Sequence, residues 1–185
     1  MEATSGMASM VSKYSRVAIV FHWVIAALVI ANIGLAELTE DMTREARGPY
    51  MDFHKSFGVC ILVLTLARLG WRLTHARPPL PSSLASWEVI LSKTAHFLFY
   101  LLLIGMPFGG WLWMSTYGAD AAISVFGLFT MPVLPVEGNE ALGDLLHESH
   151  ELGGKAMLIL IGLHIAGALK HQFIDRIGFL QRMWP

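Results

Sequence analysis

Residues 145 to 170 read LLHESHELGGKAMLILIGLHIAGALK. The stretch is long and apolar enough to carry a helix into a lipid bilayer, where only helices and closed barrels satisfy their own backbone hydrogen bonds. It also carries His150 and His164, fourteen residues apart. At 3.6 residues per turn and 1.5 Å rise, the two side chains fall within about 40° of one face and about 21 Å apart along the axis. One helix therefore offers two imidazoles to the same interior, one near each side of the membrane. The rest of the chain has to supply their partners.

Three earlier apolar runs are long enough to cross. The expected spans are 17–36, 50–73, 90–117 and 141–173, giving an all-α, integral membrane four-helix bundle over residues 14–185. Residues 1–13 are small and polar and read as a disordered segment. The first run is longer than a signal-peptide core and lacks a convincing cleavage site, so it reads as a retained helix. Proline in THARPPLPSS ends the second span. Gly105, Pro107, Gly109 and Gly110 are expected to kink the third span or let it pack closely. Residues 121–135 are apolar but short, with Pro132 and Pro135, and read as interfacial or re-entrant. Composition agrees with this class: charged residues make up 15% of the chain against about 25% for a soluble domain. A single cysteine, Cys60, excludes an internal disulfide framework, and there is no C-x-x-C-H haem-attachment motif. With no basic stripe, nucleic acid is not an expected partner.

Charge orients the bundle. With both termini and the 74–93 loop on one side, that side holds nine bases: Lys13, Arg16, Arg68, Arg72, Arg77, Lys93, Lys170, Arg176 and Arg182. The other side holds four, Arg44, Arg47, Lys55 and Lys155, together with eleven acids, for about −7. The positive-inside rule then places both termini in the cytoplasm.

Ionisable side chains within a span are costly and are functional candidates. His22 lies six residues after Arg16, and His164 six before Lys170, so both sit about 9 Å from the inner end. His54 lies eighteen residues before Arg72, and His150 twenty before Lys170, so both sit near the outer end. The depths pair His22 with His164 and His54 with His150. A lone intramembrane histidine more often bonds a neighbouring carbonyl or lines a polar cavity; two depth-matched pairs are harder to explain that way. Facing pairs supply the axial nitrogens of two noncovalent haems. Two nitrogens per level fall short of the three or four ligands of zinc or copper, and a proton relay lacks mid-depth carboxylates. Among the other histidines, His147 and His75 read as surface residues. His96 sits at the inner end of the third span, and His171 shares the His164 face as a candidate quinone or propionate contact. Propionates seek Arg or Lys near the interface. Arg16, Arg68 and Arg72 are the inner candidates, and Lys55 the outer one.

The stretches YSRVAIVFHW, HKSFGVCILVLTLARLGWRL and HESHELGGKAMLILIGLH followed by ALKHQFID resemble the bacterial cytochrome b561 family over residues 14 to 183. The resemblance implies a four-helix membrane protein of the bacterial inner membrane with two haems b, His22, His54, His150 and His164 as iron ligands, and quinone as electron-exchange partner. It also permits an oxidoreductase reading, superoxide oxidation with ubiquinone as acceptor, although an outer face near −7 opposes the approach of an anion. A third reading is a haem-bearing anchor of a larger respiratory complex, with the acidic outer face docking a periplasmic redox protein. A homodimer is a further possible assembly. A transporter has no support, since neither an internal repeat nor paired broken helices are visible.

Overall fold

A computed structural model describes residues 13–81 and 83–184. The expected disorder of residues 1–13 therefore falls almost wholly outside the described residues. Four long helices make an all-α bundle: α1 (Arg16–Leu38), α2 (Arg44–Thr74), α3 (Ser86–Thr116) and α4 (Glu140–Leu169). All four are long and apolar enough to cross a membrane. Each starts where a side chain accepts an orphan N–H of the first turn. Ser15 Oγ accepts from Ala18 N, Thr43 Oγ1 from Ala46 N and Asn139 Oδ1 from Leu142 N. At α3, Glu88 reaches back to the N–H of Ala85. The 31-residue α2 and α3 are about 46 Å long, well beyond a hydrocarbon core of about 30 Å, so their ends stand in the interfaces. α4 continues into a π-turn at Lys170–Ile174.

The expected interfacial segment contains the only strands among the described residues. β1 (Ser124–Val125) pairs antiparallel with β2 (Phe129–Thr130). Hydropathy could not show this hairpin, because two-residue strands carry no periodic signal. Its turn holds Phe126 and Gly127 at φ 50 and 71, and it is clamped onto α2 by one hydroxyl. Ser56 Oγ accepts from Phe126 N and donates to the carbonyls of Asp52 and Ser124. At the opposite end the C-terminal tail folds back. Arg182 donates to the Pro79 carbonyl at 2.6 Å, and its own carbonyl accepts from Tyr14 N. Trp23 donates to the Met183 carbonyl. The end bearing both termini is called inner below, and the hairpin end outer.

Close backbone approach joins α1 to α2, α2 to α3 and α3 to α4, while α4 stands off from α1 and α2. Glycine sets the α3–α4 approach: a Cβ at Gly153 would collide with Met106, and one at Gly110 would lie 3.3 Å from the His150 ring. Few side chains are buried in the bundle. The core cluster is Ile25, Val29, Ile61 and Met157, and Met157 lies seven residues from both His150 and His164. The apolar core is thus a mid-membrane layer between the two histidine levels. Most other large apolar side chains point outward, as expected where lipid replaces water as the surrounding solvent.

Candidate haem centres

The helices bring the histidines together in the pairing their depths predict. The His22 and His164 ring centres are 6.3 Å apart, and those of His54 and His150 are 6.0 Å apart. A metal–nitrogen bond of about 2.0 Å plus about 1.1 Å from nitrogen to ring centre, taken twice, is about 6.2 Å, so either pair could hold one metal between its rings. Both pairs bridge gaps that the backbones leave open, between α4 and α1 and between α4 and α2.

At the outer level the helices leave open space beside the pair. Gly58 and Gly154 follow His54 and His150 by one turn, both half-buried, and a Cβ at either would meet nothing within 4 Å. Ala26 and Ala168 hold the same place after His22 and His164. All four paired histidines are therefore followed at i+4 by Gly or Ala, on nearly the same helix face. His75, His96, His147 and His171 are followed there by Pro79, Tyr100, Glu151 and Asp175. The depth argument did not use this pattern, although it was present in the sequence.

The second nitrogen of each ring distinguishes the levels. His54 Nδ1 lies 3.0 Å from the Asn32 carbonyl. A carbonyl only accepts, so Nδ1 carries the proton and Nε2 keeps its lone pair, the arrangement a ligating histidine needs. The His150 ring is buried beside the Met106 backbone. At the inner level, Arg68 Nη1 lies 3.2 Å from His22 Nδ1. A guanidinium only donates, so this contact puts the ring proton on Nε2, and ligation through Nε2 requires Arg68 to release the ring. His96, on α3, stands 5.9 Å from His164 and donates Nδ1–H to the Ser92 carbonyl at 2.6 Å. Phe99 packs edge-on against His164 at 5.2 Å.

The remaining candidates divide. Arg68 reaches the inner pair, as described. Arg72 lies over the Tyr100 ring at 5.4 Å, and Arg16 is exposed at the start of α1. Lys55 pairs with Asp52 at 2.6 Å and lines a cleft of about 530 Å³ with Pro49, Phe53, Ser56, Asp120 and Phe126. Lys55 lies about 100° round α2 from His54, with its ammonium engaged by Asp52. His147 stacks on Trp113 at 4.6 Å and reaches Glu151, leaving His150 to face His54. His171 bonds Asp175 at 2.6 Å, and Lys170 bridges Asp175 and Glu88. Glu88, His171 and Asp175 are close enough to share a cation, but the Lys170 ammonium already joins the two carboxylates. Lys170, with His171 adding, holds the Asp175 carboxyl below its usual range.

The paired imidazoles fit a noncovalent haem, with a small residue one turn beyond each of them. At the inner pair the fit requires Arg68 to leave His22. Comparison with known proteins points to the same type of cofactor. A family model described as prokaryotic cytochrome b561 matches residues 13–185. A Yersinia pestis protein named probable superoxide oxidase CybB is 33% identical over 94% of this chain and 96% of its own length. Cytochrome b561 homolog 2 of Escherichia coli strain K12 is 29% identical over 92% of this chain and 90% of its own. Cytochrome b562 of Cereibacter sphaeroides is 27% identical, covering 92% and 94%. The chain belongs to the prokaryotic cytochrome b561 family and is a multi-pass bacterial membrane cytochrome of the b type that works in electron transfer.

Proposed function

We propose that the protein carries two bis-histidine haems b, His22 with His164 and His54 with His150, and passes single electrons between the quinone pool and a second partner. The supporting observation is two imidazole pairs, each spaced for one metal, set about 21 Å apart along α4. Haem held by these histidine pairs would supply a one-electron couple. The protein's part is to fix ligand tautomers, as Asn32 does for His54, and to keep Ile25, Val29, Ile61 and Met157 as a dry layer between the levels. Burial and these hydrogen bonds set the potentials. The setting is the inner membrane with both termini cytoplasmic, which the basic inner end supports. Quinone reduction takes two electrons and two protons. His171, bonded to Asp175 one π-turn beyond α4, is the candidate quinone contact at the inner interface. Adding quinol to the purified protein tests this reading: a reduced b-type absorbance band is expected, and an unreduced spectrum contradicts it.

One observation favours a second reading. The relative named as a probable superoxide oxidase aligns with nearly the whole chain. Two superoxide ions would each give up one electron and leave as oxygen, and the two electrons with two protons would reduce one quinone. The acidic outer face opposes this by repelling the anion. Stopped-flow mixing with superoxide decides. Fast reduction that slows with added salt supports it, and slow reduction at all ionic strengths excludes it.

A further inference from the structure

Arg47 is half-buried in the second turn of α2. Its Nε is shielded from solvent and has no hydrogen-bond partner. No acidic side chain pairs with it among the described residues. A guanidinium whose Nε is taken out of water with no acceptor loses hydration that nothing replaces, so the position suits a negative ligand. Arg47 precedes His54 by seven residues, which puts it within about 20° of the same helix face and about 10 Å further out. It therefore stands at the rim of the outer pair, on the side that carries a ligand histidine.

The surroundings point the same way. Asn32 Oδ1 and Trp113 Nε1 are also buried without partners. The Trp113 ring is 6.1 Å from that of His150, and the Asn32 carbonyl holds His54. Three such atoms thus lie near one histidine pair, while Thr65 Oγ1 and Tyr100 Oη are shielded elsewhere in the bundle. Of these groups only Arg47 is a cation, and it has the forked donors that match a carboxylate. Lys55, the other nearby base, is already paired with Asp52.

We propose that Arg47 is the anion-binding residue of the outer level, holding a carboxylate of the cofactor seated between His54 and His150. This rests on the two-haem reading above. The test is a redox titration of the full-length protein in lipid nanodiscs, comparing wild type with Arg47→Gln, Arg47→Lys and Arg44→Gln, with haem loss to excess apomyoglobin as a second readout. Arg47→Gln should lower the midpoint of one haem, leave the other in place and speed release of one haem. Arg47→Lys keeps the charge and should recover most of the midpoint. Arg44→Gln removes an equal but exposed charge and should change neither readout. Unchanged midpoints and release in a two-haem Arg47→Gln protein overturn the inference alone. A wild-type midpoint that responds to added formate or chloride, with the response lost in Arg47→Gln, also overturns it, by assigning the site to a free small anion. A wild-type protein without two haems overturns the function reading itself.

Discussion

The outer and inner levels use the same pair of side chains in different surroundings. At the outer level two imidazoles face each other, and three polar atoms around them have no protein partners: Trp113 Nε1, Asn32 Oδ1 and Arg47 Nε. At the inner level a third imidazole, His96, stands as near to His164 as His22 does, and Arg68 is bonded to His22. On the two-haem proposal the outer level is completed by what binds there, while the inner pair already has Arg68 and His96 against it. This predicts that the two centres lose their cofactor unequally when a ligand is removed.

The largest effect should come from the ligands. His54→Ala and His150→Ala are each expected to lower haem content from about two per chain to about one, because no other imidazole faces the outer gap. His22→Ala should keep more of its haem than His54→Ala, since His96 remains beside His164. Pyridine haemochrome assay of the purified variants checks both, and equal loss from His22→Ala and His54→Ala would break the asymmetry. Next come the small residues one turn from each histidine. Gly58→Leu or Gly154→Leu should empty the outer level, and Ala26→Leu the inner, with the mid-membrane core untouched. If Gly58→Leu keeps both haems, the space beside His54 is not where the ligand sits.

Smaller effects follow from the two ends of the bundle. Ser56→Ala removes the hydroxyl that holds the β-hairpin on α2 and leaves the Phe126 N–H without its acceptor, at a cost of about 1–3 kcal/mol. A lower thermal midpoint with unchanged haem content is expected. The smallest effect is at Asp175, whose carboxyl Lys170 holds below its usual range. A carboxylate depressed in the folded state stabilises it above the unfolded value of about 3.9 and loses that contribution as pH falls through the folded value. The difference in thermal midpoint between wild type and Asp175→Asn should therefore be level between pH 5 and pH 7 and shrink below about pH 4. A difference that grows on acidification would reverse the sign.

How much of this the sequence disclosed depends on which coordinate a feature uses. Depth along a helix is readable, because every residue rises by the same amount. That is why the four spans emerged with ends close to those of the helices, and why His22 and His54 emerged with the partners they face. Direction round the helix is readable within one helix and is easily overlooked. Lys55 adjoins His54 in sequence yet sits about 100° round the helix from it, whereas Arg47, seven residues back, shares its face. The Gly or Ala at i+4 was legible by the same arithmetic. What could not be read is how one helix is turned toward another. His96 reaches His164 only because α3 packs against α4, and the hairpin is held by a serine about seventy residues away in sequence.

If each histidine pair holds one haem through both imidazoles, the visible spectrum has to show it. The decisive experiment is haem quantification on pure, iron-replete protein, with spectra recorded before and after carbon monoxide. About two b haems per chain, both low-spin and unchanged by carbon monoxide, is the predicted result. One haem or none, or a carbon-monoxide-binding haem in the wild-type protein, would contradict it.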